Sequence, residues 1–390
     1  MPLPHMARRR FLQTSAALAG GAALPATALA AGNREYAGPN VVLIRFGGGA
    51  RRRESIAPGD TYSPFVRDVL AHRGTLFNQV LIGDAAETGH GQGTLNLLTG
   101  KYDRYKDVDQ QILGERFEAK VPTLFEYLRR AFEVPEHQTL IVNGEDRTQE
   151  EFYTFSNHHL FGVNYRSNVL SLYRFKSYLL RRQIAEHAGD WSESTLALKR
   201  AELAQMESLD YRQAPGNQAE PIQQFWSRWR QHYGESGLVN PRGDRLLTEL
   251  ACRAIAELRP RLMMINYNDC DYVHWGNLAH YTRALSIMDS GIRRVVRTIE
   301  NDEAYRNNTL IVVAPDCGRD DSPFAAVPCQ HHFNSRSSRE VFALFVGPGI
   351  DRGRVVDRAA EQVQVAPTIA AAMGVAAPFA EGGVLEEAFA

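Results

Sequence analysis

The 390-residue chain has few cysteines, only Cys252, Cys270, Cys317 and Cys329, all in its last third. Four in a chain this long exclude a disulfide-framework protein. Cys270 and Cys317 stand beside candidate metal ligands, so they read either as a pair or metal contact, or as small buried apolar side chains. The chain also lacks an excess of charge of either sign. Its 44 Lys and Arg against 45 Asp and Glu give −1, and −4 without the first thirty residues, which hold three arginines and no acid. That removes the global electrostatic case for nucleic acid or an anionic membrane as partner. After residue 31 no apolar run is long enough to span a bilayer, so no integral membrane anchor is expected. No internal repeat is present, and no low-complexity tract outside the N-terminal segment. What remains is 44% apolar and 23% charged residues, an ordinary balance for a large globular core or a core with a substantial insertion.

Residues 7–13 read ARRRFLQ, and an Ala-rich apolar run follows to Ala30. A paired arginine, Phe11 and Leu12 and the A-x-A site at 28–30 resemble a twin-arginine export signal over 1–30; an ordinary secretory signal is the alternative. The expected location is periplasmic or secreted.

The most informative stretch is 262–320. Two short apolar runs, 262–265 and 310–314, read as buried parallel strands with one helix-length segment between them. Each is followed by groups that bind metals: Asp269, Asp271 and His274 after the first, Asp316 and Cys317 after the second. Strand, ligands, helix, strand, ligands is the layout of an open α/β sheet whose site lies at the carboxyl ends of its strands. Histidine, carboxylate and thiolate together suit zinc or a similar transition metal better than calcium.

Around this stretch, 40–46 (NVVLIRF) reads as the first strand, apolar throughout except at Arg45. Gly47 and Gly48 follow it and let the backbone approach a ligand closely, and Arg51 offers a charge for an anion. A helix is expected over 63–72, strands over 75–81, 139–143 and 340–346, and helices over 123–132, 245–258 and 365–373. Thr88, His90 and three glycines sit at the mouth of another helix, a place where an anion meets backbone N–H groups. From 144 to 245 strand signals vanish, and helical periods recur near 167–188, 195–208 and 219–233. This segment is expected to be a helical insertion or cap between 38–143 and 246–390, the two parts of an α/β core. Its adjacent His158 and His159 read as site residues or as loop packing.

In order, the strand NVVLIRF, LLTG closing the helix after His90, the pair Asp271 and His274, Pro315-Asp316, His331-His332, and VGPGI followed by VQVAPTI resemble the alkaline-phosphatase-like superfamily, which includes sulfatases and nucleotide pyrophosphatases. The resemblance covers roughly 38–143 and 245–376. It implies a three-layer α/β/α sandwich with a mostly parallel sheet, and a site of two divalent metals around a nucleophile. It implies that Asp271, His274 and either His331 or His332 bind one metal, and that Asp316 serves the other. The chain departs from that pattern. Glycine stands at 47 and 48 where the first strand is followed by an Asp, Cys317 replaces the His after Asp316, and the nucleophile position, nine before Thr99, is His90.

The expectation is therefore an exported hydrolase of phosphate or sulfate esters, small-molecule or glycan, with one or two divalent ions, zinc foremost and manganese or calcium as alternatives. His90 is expected as ligand, general base or nucleophile, Thr88 as the nearest hydroxyl, and Arg319 as an anion clamp. A non-catalytic binding protein on the same scaffold and a phospho- or sulfo-group transferase are the other readings. Oligomeric state is not legible.

Overall fold

The computed structural model describes residues 34–83, 88–103, 119–144, 150–208, 219–235, 243–275, 277–321, 329–333 and 335–390. The expected export signal lies outside the described residues. The strands, in chain order, are β1 (Asn40–Arg45), β2 (Thr75–Leu81), β3 (Thr139–Asn143), β4 (Asn168–Leu170), β5 (Leu262–Asn266), β6 (Thr309–Ala314), β7 (Glu340–Val346), β8 (Arg354–Val356) and β9 (Ala360–Glu361). The main helices are α1 (His90–Thr99), α2 (Leu124–Ala131), α3 (Leu172–Glu186), α4 (Glu193–Glu207), α5 (Glu220–Tyr233), α6 (Asp244–Leu258), α7 (Leu278–Asn301) and α8 (Val365–Met373).

The strands form one sheet in the order β4-β3-β5-β1-β6-β7-β2-β8, with β9 also pairing β2. Every pairing is parallel except those of β7, which runs against both β6 and β2. β1 is central and all six of its residues are buried, which is why it reads as a continuous apolar run and not as an alternation. Its side chains still part between two cores. Val42 and Ile44 pack with Leu250 and Ile255 of α6 and Leu285 and Val295 of α7. Val41 and Leu43 pack with Leu98 of α1, Phe125 of α2 and Ile369 of α8. Helices thus cover both faces, and the fold is a three-layer α/β/α sandwich.

The segment between β3 and α6 is helical as its periods suggest, with one strand the pattern does not reveal. β4 has three residues and lies parallel to β3, too short to display a period. Phe175, Phe225, Trp226 and Trp229 of α3 and α5 join the same core as α6 and α7, so these helices widen one flanking layer at the β4 edge. No helix among the described residues is long and apolar enough to cross a membrane.

Candidate metal centre

β1, β2, β5 and β6 run the same way, so their carboxyl ends open on one edge of the sheet. β7 runs the opposite way, which brings its amino end and the preceding residues to that same edge. Segments 47–49, 88–90, 269–275, 316–320 and 329–333 therefore meet there, where ligands of open α/β sheets bind. Asp320 ties the last of them in by accepting from the N–H groups of Phe333 at 3.1 Å and Ser335 at 3.2 Å.

His90 opens α1 and is buried. Its Nδ1 lies 2.6 Å from Asp316 Oδ2 and its Nε2 lies 2.7 Å from Asp271 Oδ1. α1 lies this close to Asp316 because residue 93 is glycine: a Cβ there would sit 2.1 Å from the Asp316 carbonyl oxygen. Burial alone would lower the His90 pKa, but the carboxylates of Asp271 and Asp316 outweigh it and hold the value well above the ordinary one. Burial would likewise raise both carboxyls. The charges of His90 and Arg319, with a His274 hydrogen bond, hold Asp271 far below the usual range, and Arg45 and His90 do the same for Asp316.

Asp271 and His274 share a 3₁₀ turn, Asp269–Trp275, whose three-residue period eclipses the two side chains and sets Asp271 Oδ1 2.6 Å from His274 Nε2. The tautomers of the next two histidines follow from their partners. Gln330 donates its Nε2 to the His274 carbonyl at 2.6 Å, which turns its Oε1 onto His274 Nδ1, also at 2.6 Å. His274 Nδ1 therefore carries a proton. His331 Nδ1 donates to the Thr88 carbonyl at 2.6 Å. Burial, with the positive charges of His90 and Arg319 adding to it, keeps the His331 pKa well below the ordinary value, so this ring is neutral. His331 then turns its Nε2 lone pair toward His274 Nε2 at 3.0 Å, and Asp271 Oδ1 lies 2.6 Å from that same His274 nitrogen.

A carboxylate and imidazole nitrogens converging this way, each imidazole steered by a hydrogen bond on its other nitrogen, form the environment of a transition-metal ion. His90, Asp271, His274 and His331 each offer one atom within 4.8 Å of all the others. These residues fit a divalent metal.

The other candidates fall in different places. Of the late pair, His331 supplies the donor, while His332 is exposed and packs its ring 3.9 Å from that of His331. Cys317 is buried with its Sγ 3.6 Å from His90 Nδ1. All four cysteines are free, so Cys270 and Cys317 do not pair. Thr88 donates its hydroxyl to the His331 carbonyl. Arg319 is fully buried and spends its guanidinium on the carbonyls of Gly48, Gly49 and Cys329 and on Asp271 Oδ1 at 3.1 Å. It stitches the loops after β1 and β6 together, and these contacts are all to the protein's own groups. Gly47 and Gly48 serve close backbone packing: a Cβ on them would meet the Tyr267 carbonyl oxygen at 2.1 Å and the Asp271 nitrogen at 2.6 Å, and Gly48 has φ +74°. Arg51 is paired with Glu54 at 2.6 Å and lines a separate 240 Å³ cavity with Arg52, Arg53 and Arg336. His158 and His159 stack on each other at 4.7 Å, beside Phe161 and Phe379.

Two residues of the centre went unassigned in the sequence. Arg45 donates through Nη2 to Asp316 Oδ2 at 2.6 Å and through Nη1 to Asn266 Oδ1, with no part exposed. Its signal was one charge inside an otherwise apolar buried strand. Gln330 left no comparable signal, since an amide beside two histidines reads as loop.

Gln330→Ala is expected to weaken zinc binding by about 10–100-fold with little change in folding, measured by competition with a chelating dye. The metal-free protein is expected to show a specific pH response. His90 has a folded pKa above its unfolded value of about 6.5, so its contribution is complete below that pH and is lost as pH rises through the folded value. Asp271 and Asp316 have depressed values, so theirs is complete above about pH 4 and is lost as pH falls through the folded values. Between about pH 4 and 6.5 all three contribute. Above 6.5 the unfolding free energy is expected to fall by up to about 1.4 kcal/mol per pH unit for the one proton involved, and zinc should flatten that slope. Urea unfolding from pH 5.5 to 8.5, with and without zinc, checks this; a metal-free slope of zero would remove the imidazolium bridge.

No protein-family model matches the chain, and no curated protein matches its sequence. Its structure, however, is similar to solved ones. Against a 2-O GAG sulfatase the TM-score is 0.54 at 14% identity, covering 89% of this chain and 73% of that one. Against a mutant of the alkaline phosphatase PafA it is 0.52 at 11% identity, covering 90% and 99%. Against the lipoteichoic acid synthase LtaP from Listeria monocytogenes it is 0.50 at 9% identity, covering 94% and 78%. The fold is the alkaline-phosphatase-like one, a scaffold shared with sulfatases and a phosphatase.

Proposed function

We propose that the protein is an exported, metal-dependent hydrolase of phosphate or sulfate esters. The observation that carries this reading is the convergence of His90, Asp271, His274 and His331, with the second nitrogens of His274 and His331 already committed to Gln330 and Thr88. The shared scaffold supports an ester of phosphorus or sulfur, and the GAG sulfatase among the similar structures brings glycan esters into range. A bound ion supplies Lewis acidity toward a non-bridging ester oxygen. The side chains around it orient and exclude. Asp316 keeps the Nδ1 proton on His90 and aims Nε2 at the group; Gln330 and the Thr88 carbonyl do the same for His274 and His331. Neither His90, engaged at both nitrogens, nor Thr88, donating to a carbonyl, is an idle nucleophile, which favours hydrolysis without a covalent intermediate on a side chain. Export rests on the twin-arginine pattern over 1–30.

The test is elemental analysis of the full chain, followed by turnover of an aryl phosphate and an aryl sulfate before and after chelation. Tightly held zinc and chelator-sensitive turnover of either ester is the expected result. A protein that takes up no metal and leaves both esters intact would be a binding protein on this scaffold, and the hydrolase reading would be withdrawn.

A further inference from the structure

We infer that the chain is built for a single metal ion, with the Arg45 guanidinium standing where a second would bind. This rests on the reading of the histidine cluster as a metal centre. Two sets of donor atoms lie close enough to share an ion, and they have His90 in common: one adds Asp271, His274 and His331, the other Asp316 and Cys317. The first set gathers the Nε2 atoms of His274 and His331, 3.0 Å apart, with an Asp271 oxygen beside them. In the second the carboxylate is already engaged on every side. A carboxylate has about four acceptor sites, and Asp316 has all four filled. Arg45 Nη2 and His90 Nδ1 each approach Oδ2 at 2.6 Å, while the N–H groups of Gly49 and Cys317 approach Oδ1 at 3.2 and 2.9 Å. Cys317 is buried and must lose a proton before it can ligate.

Arg45 cannot easily step aside. It is the last residue of the central strand, and its register partner on β5 is Asn266, whose own register partner on β3 is Asn143. Arg45 Nη1 donates to Asn266 Oδ1, and Asn266 Nδ2 donates to Asn143 Oδ1 at 2.6 Å. Three neighbouring strands thus end in one hydrogen-bonded row that holds the guanidinium against Asp316. Guanidinium keeps its proton at any working pH, so the charge is permanent. Asp316 then acts as a positioning residue for His90 and not as a ligand, and Arg45 positions Asp316.

The experiment counts zinc. The full chain is stripped with chelator, incubated with excess zinc chloride, desalted, and its zinc-to-protein ratio measured by mass spectrometry. One equivalent is expected. Two equivalents would overturn this inference and leave the proposed function standing, whereas none would remove the metal centre itself. Arg45→Gln, which opens Asp316, is expected to raise the count to two; a folded Arg45→Gln protein that stays at one would overturn the role given to Arg45. Arg45→Lys keeps the charge and is expected to stay at one. Should Arg45→Gln not fold, the wild-type and Arg45→Lys counts decide the matter, since two equivalents in either overturns it.

Discussion

His274→Ala is expected to yield a folded protein that no longer retains zinc through desalting and no longer turns over an aryl ester above the buffer rate. The His274 side chain is 22% exposed and lies on a surface-facing turn, so its removal strands no charge in the interior. Stability should change by roughly 1 kcal/mol or less, as for substitutions away from a packed core. The loss in binding is a different matter. Four donors become three, and Gln330, aimed at His274 Nδ1 and its carbonyl, loses one of its two partners. The drop in zinc affinity should exceed the roughly 10–100-fold expected for an outer partner alone. Zinc content after desalting, urea unfolding and ester turnover measured on one preparation separate loss of metal from loss of fold. Wild-type zinc content in a folded His274→Ala protein would exclude this histidine as a ligand.

Asp316→Ala should do the reverse and damage the fold first. Arg45 and Asp316 are both fully buried and 2.6 Å apart. Removing one partner of such a pair leaves a charge in the interior with nothing to offset its lost hydration, at a cost of about 3–5 kcal/mol. His90 loses its Nδ1 partner at the same time. The cost should be read from urea unfolding of the metal-free chain. Because the penalty belongs to the stranded guanidinium, Arg45→Met added to Asp316→Ala is expected to recover most of it. A double variant as unstable as the sum of the two singles would mean that the pair is not coupled.

Much of the core was legible because its signals are local. The apolar strands β1, β5, β6 and β7, the long amphipathic α7 and the amphipathic α2 need only near neighbours in sequence to be recognised. β4 escaped because three residues carry no period. The candidate ligands were visible as chemistry, since histidines and carboxylates follow the ends of apolar strands. Their assignment to one ion or two was not. Arg319 and Arg51 read in sequence as charges for an anion and are spent internally, one on backbone carbonyls and the other on Glu54. The fate of an arginine depends on which acceptors reach it first.

Sequence alone determined the class of fold, the edge at which the strands would present polar residues, and the identity of the histidines and carboxylates available there, because strand period and residue chemistry are properties of short segments. Only the tertiary structure decided that β7 runs backward and so delivers His331 to that edge, that Gln330 and the Thr88 carbonyl set two imidazole tautomers, and that Arg45 reaches across to Asp316. These are contacts between residues up to 271 positions apart, set by sheet order and strand direction, which no local pattern encodes.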